Sequence, residues 1–276
     1  MSKILLAVVS DLHCGSTLGL STPTFIRDDG ETYVAGVAQN WLWHCWLDYW
    51  DTVKSRMKRG DQLVVVVNGD VTDGPNHHGT NQTVSSSYAD EIRLAKDVLR
   101  PALALKPRNL FMVRGTPSHV GVASSSEETV AQILNATPDG PRSTWNMLPL
   151  ELQGNLFHFY HHGKVGRTRA TRNNPVINAA RDHFLNALNA GQPYPHYVVK
   201  SHMHQYADSH DAFLTRCIQT PGWQLATAYI DKVVADMYAL ADIGGLLFHI
   251  NNGTVDMEWI GKNKYVPAPK EAVRIP

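Results

Sequence analysis

Short runs of valine, isoleucine and leucine alternate along the chain with longer stretches whose apolar residues recur at helical spacing. Ile4–Ser10 reads as a buried strand ending in Asp11-Leu12-His13. Leu63–Val67, valine at four of five positions, reads as another and ends in Asn68-Gly69-Asp70. Leu110–Val113 predicts a strand leading into Arg114-Gly115-Thr116-Pro117-Ser118-His119, Leu156–Tyr160 one running into His161-His162-Gly163, and Tyr197–Lys200 one running into Ser201-His202-Met203-His204. Continuous apolar runs of this length suit buried strands. Leu246–Ile250 and Thr254–Ile260 flank Asn251-Asn252-Gly253, a hairpin signal.

Between these runs the period lengthens. Val37–Met57 predicts a helix, with Trp43, Trp46, Trp50, Val53 and Met57 on one stripe. Such a stripe is better explained as core or subunit contact than as a base-stacking platform. Tyr88–Leu99 predicts a helix ended or kinked at Pro101. Ser125-Ser126-Glu127-Glu128 has the form of a capping box opening a helix to about Leu134, and Asn174-Pro175 opens one that closes near Gly191. Strands alternating with helices place the chain in the α/β or layered α+β class.

Composition narrows the function classes. Lys plus Arg and Asp plus Glu number 25 each, so formal charge is zero over 276 residues. That balance argues against a protein that grips long nucleic acid mainly by its phosphates. No apolar run approaches the ~18–20 residues needed to cross a bilayer, and none of the interaction partners expected is a membrane. Met1-Ser2-Lys3 runs straight into a short apolar strand, which reads as a mature cytoplasmic N-terminus rather than a secretory leader. Cys14, Cys45 and Cys217 are far apart and odd in number, so reduced thiols are expected. Without repeats, linkers or charge blocks, residues 1–276 read as a single domain, with a helical insertion at about 24–60 and an extended tail at about 264–276.

The metal-type residues fall where strands end. One sheet edge is expected to gather Asp11, His13, Asp70, Asp73, His119, His161, His162, His202 and His204. The spacing in Asp-x-His and His-x-His would place alternate side chains on one side of an extended backbone. Packed together without a cation, these groups would leave charge unpaired at a cost of several kcal/mol. Several strand ends delivering carboxylate and imidazole to one place is what a two-metal site requires.

In this order the blocks Asp11-Leu12-His13, Gly69-Asp70-Val71-Thr72-Asp73, the strand-end pair His161-His162 and Ser201-His202-Met203-His204 resemble the calcineurin-like metallophosphoesterase family, in a stand-alone bacterial or phage-type form. The resemblance implies a four-layer α/β/β/α sandwich of two mixed sheets. It also implies two divalent metal ions, with Mn, Fe, Zn and Ni all suited to Asp/His ligation. Asp11, His13 and His204 would hold one metal, Asp70 would bridge, and His161 and His202 would hold the second, with His162 competing with His161. Asp73 reads as an acceptor behind the ligands. The family's Gly-Asn-His is replaced by Gly115-Thr116-Pro117-Ser118-His119, two residues longer and without the ligating Asn, so Thr116, or else Ser118, would offer a hydroxyl there. His119 would contact the phosphate and assist the leaving group.

The activity implied is phosphoester hydrolysis by metal-activated hydroxide, acting on a phosphodiester or phosphomonoester. Gly74 stands where protein Ser/Thr phosphatases carry Arg, which turns the expectation to a nucleotide or a short nucleic-acid end. Arg167 and Arg169, in a basic stretch with Lys164 and Arg172, are candidates for binding a phosphate not held by metal, and Asn76–Asn81 for lining the substrate cleft. The alternative is a non-catalytic scaffold that keeps the fold and uses a face for partners.

Overall fold

The computed structural model of the chain describes residues 2–74, 82–121, 124–166, 168–227 and 241–267. In chain order these form β1 (Ile4–Val9), β2 (Thr24–Ile26), β3 (Thr32–Val34), α1 (Val37–Arg56), β4 (Gln62–Asn68), α2 (Tyr88–Val98), α3 (Arg100–Ala104), β5 (Asn109–Val113), α4 (Pro117–Val120), α5 (Ser125–Ile133), β6 (Leu148–Leu152), β7 (Asn155–His162), α6 (Asn174–Asn189), β8 (Tyr197–Ser201), β9 (Ala207–Asp208), β10 (Arg216–Gln219), β11 (Gly245–Asn251) and β12 (Thr254–Ile260). The architecture is α/β with two mixed five-stranded sheets, ordered β12-β11-β1-β4-β5 and β6-β7-β8-β10-β9.

Strands β1, β4 and β5 run parallel, as do β7, β8 and β10. Parallel strands with both faces covered carry apolar residues at every position, and the side chains of β1 show how. Leu6 and Val8 join Val64, Val66 and Phe111 in a core shared with Phe157, Phe159, Val199 and Ile218 of the other sheet. Leu5, Ala7 and Val9 face the opposite way, into a core with Trp46, Tyr49 and Trp50 of α1 and Leu94 and Val98 of α2. On the outer side of the second sheet, Val176 and Ala180 of α6 pack with Val198 and Cys217.

The tryptophan stripe is core. Trp46 is fully buried, meets Trp223 edge-on with ring centroids 4.9 Å apart, and donates its indole N–H to the Val98 carbonyl at 2.8 Å. Pro101 acts as expected, since α2 ends at Val98 and α3 restarts with the proline in its first turn.

Several elements depart from the sequence expectation. The insertion ahead of α1 opens with the β2–β3 hairpin rather than with helix. Strand β6 is hidden by Pro149, which is tolerated because β6 lies at a sheet edge, and β10 is too short, at four residues, to give a pattern. The capping box at α5 does not form. Ser124 is the N-cap, in left-handed backbone, and its side chain makes no cap bond. Glu128 accepts instead from the Ser143 N–H (2.6 Å) and the Thr144 hydroxyl (2.6 Å), and Glu127 turns to other loops. The start of the tail is anchored by Lys264 and Tyr265, which both donate to Asp48 at 2.5 Å, while residues 268–276 lie outside the described residues. Among the described residues no helix is long and apolar enough to cross a membrane.

Truncating the aromatic centre tests this packing. Trp46→Ala is expected to lower unfolding free energy by about 3–5 kcal/mol, read by urea denaturation followed by circular dichroism.

Candidate metal centre

The carboxyl-terminal ends of β1, β4, β7 and β8 and the loop after β5 meet at one edge of the two sheets. Parallel strands leave their ligand crevice at this end. Three overlapping groups of potential ligand atoms lie there, each with its atoms within 4.8 Å of one another: Asp11, His13 and His204; His13, Asp70 and His119; and Asp70, His161 and His202.

The backbone that brings them together is not extended, contrary to the alternation expected for Asp-x-His and His-x-His. Asp11, His13, Asp70, His202 and His204 all have positive φ, between 45° and 83°. Each such residue costs of order 1–3 kcal/mol and persists only where its surroundings over-determine it. Tight turns of this kind fold the two loops back on themselves and aim both side chains of each motif inward. Close backbone approach completes the arrangement. A Cβ on Gly115 would stand 2.2 Å from Asp70 Oδ1, and one on Gly69 would stand 2.3 Å from His161 Nδ1 and 2.9 Å from the Gly115 Cα. Only glycine fits at either position.

Hydrogen bonds fix which nitrogen each imidazole presents. Asp73 Oδ1 lies 2.9 Å from His13 Nδ1, and a carboxylate only accepts, so in His13 the Nδ1 carries the hydrogen and Nε2 the lone pair. That lone pair faces His204 Nε2 at 3.2 Å, and Asp11 Oδ1 lies 3.4 Å from the same His204 nitrogen. His161 follows the same logic. Its Nδ1 lies 2.8 Å from the Asn68 carbonyl, so Nε2 is left to face Asp70 Oδ2 at 2.9 Å. Asp73 is thus placed behind His13 as an acceptor, and it also accepts from Gln224 Nε2 at 3.2 Å.

Thr116 stands beside the Asp70–His161–His202 group. Its N–H donates to Asp70 Oδ1 (2.6 Å), and its hydroxyl lies 3.2 Å from Asp70 Oδ2 and 3.1 Å from His202 Nδ1. Pro117 and Ser118 are taken up by the single turn α4, with the proline at its start. That turn returns His119 to the cluster, its ring 4.6 Å from that of His13. His119 Nδ1 lies 2.8 Å from the Asp73 carbonyl and carries the hydrogen, so in the neutral ring Nε2 holds the lone pair. His161, buried, supplies the nitrogen of its group, whereas His162 is exposed with its ring 5.2 Å from that of His202.

A sealed polar joint supports the site from both sheets. Thr220 donates its hydroxyl to Ser201 Oγ (2.9 Å) and lies 2.8 Å from Ser10 Oγ. Asn68 Nδ2 donates to Ser201 Oγ (2.6 Å) and to the Tyr160 carbonyl (3.0 Å). Ser10, Asn68, Tyr160 and Ser201 lie within two residues of Asp11, Asp70, His161 and His202.

Electrostatics favour positive charge here. Burial would raise the Asp11 carboxyl, but His204 beside it, together with His161, brings it down to about 2. For Asp70, burial is again opposed, by His161 and His202, and the carboxyl falls well below its usual range. Burial would lower His161, yet Asp70 lifts it to about 10. In His119, burial and then the neighbouring His13 push the ring down to about 4. His161 Nε2, protonated at neutral pH, faces Asp70 Oδ2 at 2.9 Å, while the His13 and His204 Nε2 atoms lie 3.2 Å apart and Asp11 Oδ1 lies 3.4 Å from the latter. The oxygen and nitrogen donor set fits borderline divalent cations.

Arg172 pairs with Asp242 at 2.9 Å, and Asp242 Oδ2 also accepts the Tyr206 N–H at 2.8 Å, so Arg172 braces the His204 loop. Lys164 is exposed, and Ser118 lies half-buried in the α4 turn between Thr116 and His119. Arg169 begins a short 3-10 turn, Arg169–Thr171, but its side chain lies outside the described residues, as do Arg167 and Asn76–Asn81.

No family model matches the chain, and no curated protein matches it. Among solved structures it is similar to a Thermotoga maritima protein determined by solution NMR (12% identity, TM-score 0.37, covering 94% of this chain and 98% of that one). It is also similar to a hypothetical protein from Pyrococcus horikoshii OT3 (8% identity, TM-score 0.46, 94% and 87%). A metallophosphoesterase from Sphaerobacter thermophilus is a third neighbour (11% identity, TM-score 0.37, 92% and 87%). At these scores the likenesses carry no part of the functional argument.

Two outcomes follow from the geometry. Gly115→Ala is expected to displace Asp70 and weaken divalent-metal affinity by about 10–100-fold, measured by calorimetric titration. In metal-free protein, His161 is raised from 6.5 to about 10, so its contribution to stability is complete below pH 6.5 and is lost as pH rises toward 10. Melting temperature in chelator should therefore fall from pH 6.5 to about 9, and a saturating divalent cation should remove that fall.

Proposed function

We propose that this chain is a metal-dependent phosphoesterase of the calcineurin-like type. The observation that carries the reading is the overlap of three His/carboxylate groups at one sheet edge, with Asp70 common to two of them and His13 common to two. Asp11, His13 and His204 would hold one cation. Asp70, His161 and His202 would hold a second, with Asp70 shared and the Thr116 hydroxyl turned toward it. The shared core between the sheets, with α1 and α2 on one outer face and α6 on the other, supports a four-layer α/β/β/α sandwich, and we take the chain as one domain.

Bound divalent cations of the Mn, Fe, Zn or Ni class would supply an acidified water and neutralise charge on the phosphoryl oxygens. The chain's own residues do the rest. Asp73 holds the His13 ring and, through its carbonyl, the His119 ring in fixed orientations. Burial and the neighbouring His13 keep the His119 ring neutral at rest; beside an anionic phosphoryl group the ring would take up a solvent proton at Nε2, hydrogen-bond the phosphoryl oxygen and pass that proton to the departing oxygen. The His202 N–H donates to Asp11 at 3.2 Å, which ties the two halves of the centre.

The substrate class we propose is a nucleotide or a short nucleic-acid end, as diester or monoester. Zero net charge supports a small substrate over a long duplex. Bis(p-nitrophenyl) phosphate should be hydrolysed when Mn is added, and Asp70→Asn should abolish turnover. Inactivity with all four metals and several phosphoesters would instead favour the non-catalytic scaffold.

A further inference from the structure

Glu127 is fully buried in the first turn of α5, yet it serves neither its own helix nor the three ligand groups. Its Oε1 accepts the Val71 N–H at 3.1 Å and its Oε2 accepts the Gly115 N–H at 2.7 Å. Val71 directly follows Asp70, and Gly115 directly precedes Thr116. One carboxylate therefore holds the backbone of both loops at the point where Thr116 donates its N–H and hydroxyl to Asp70.

The neighbouring Ser126 reaches the same two loops. Its hydroxyl lies 2.7 Å from Thr72 Oγ1 and 3.1 Å from the Val120 carbonyl, to which it donates. The start of α5 is thus a staple between the loop after β4 and the loop after β5. Only a carboxylate offers two acceptor oxygens with no donor. A glutamine could satisfy one of the two buried N–H groups, while its own NH2 would confront the other, and an alanine would leave both unpaired.

We propose that Glu127 is a positioning residue for the second cation. By holding Val71 and Gly115 it sets the distance between Asp70 and Thr116, and with it the shape of the site formed by Asp70, His161, His202 and Thr116. This rests on the metal-centre reading above. It bears most on the Asp70–Thr116 side of the centre, where both bonds of the Glu127 carboxylate fall, and reaches the Asp11–His13 loop only indirectly, through the Val71 carbonyl that accepts the Cys14 N–H at 2.9 Å.

The test uses the full chain, stripped of metal and titrated with Mn2+ by calorimetry, for wild type, Glu127→Gln and Glu127→Ala, with circular dichroism to confirm folding. Wild type should take up two Mn2+ and show spin-coupled electron paramagnetic resonance. Glu127→Ala should lose about 10–100-fold in affinity at the site of Asp70, His161, His202 and Thr116, lose distinctly less at the other site, which shares only Asp70 with it, and show the signal of isolated Mn2+. Glu127→Gln should fall between, and it carries the test if the alanine variant does not fold. Wild-type affinity and coupling in the variants, or equal losses at both sites, would overturn the inference. A wild type that fails to bind two Mn2+ would overturn the functional reading itself, in an arm that involves no variant.

Discussion

Asp70 is almost wholly enclosed where four chain segments meet, and the need to meet its charge organises those segments. An isolated carboxylate in such a place would neutralise or unfold its surroundings. Here it receives the Thr116 N–H and hydroxyl, stands 2.9 Å from His161, and lies 3.8 Å from a His202 ring nitrogen. Asp11 repeats the pattern a strand away, with His204 and the His202 N–H. Two buried anions this close demand cationic partners. Protons on imidazole meet that demand in the absence of metal, and divalent cations would meet it with more charge.

Holding such a cluster together takes conformational energy. Five of its side chains sit on left-handed residues, together costing on the order of several kcal/mol. The compensation lies beneath, in strands buried on both faces and in the Ser10–Thr220–Ser201–Asn68 joint that links the two sheets immediately behind the site. The hydrogen bonds of that joint tie the two sheets together, so a strained turn on either side has a fixed base from which to project. The rigidity of the parallel strands and the strain of their ends are two halves of one arrangement.

Much of this was legible in the chain, for identifiable reasons. The continuous apolar runs of β1, β4 and β5 announce strands because burial on both faces leaves no polar alternation to confuse the signal, whereas β7 alternates buried and half-buried positions, the pattern of a strand with one face less covered. The helix over Val37–Arg56 was legible in its tryptophan stripe. Short or edge elements were not: β6 carries a proline, and β10 has too few residues for any period to appear. The Ser-Ser-Glu-Glu run misleads for a different reason. A glutamate three residues into a helix has the same local chemistry whether it caps that helix or reaches loops distant in sequence, and only the fold decides which N–H groups lie nearest.

Residue order alone carries the inventory: which strands end in Asp or His, and that glycines precede Asp70 and Thr116. These are properties of local pattern, set by burial and by residue type. Tertiary structure alone decided the rest. It set which imidazole nitrogen each histidine presents, the choice of buried His161 over exposed His162 for the Asp70–His202 group, the pairing of Arg172 with Asp242, and the link from Glu127 to two loops. Each depends on groups tens to more than a hundred residues apart, and hydrogen-bond direction is fixed by what the fold brings within about 3 Å, which no local pattern encodes.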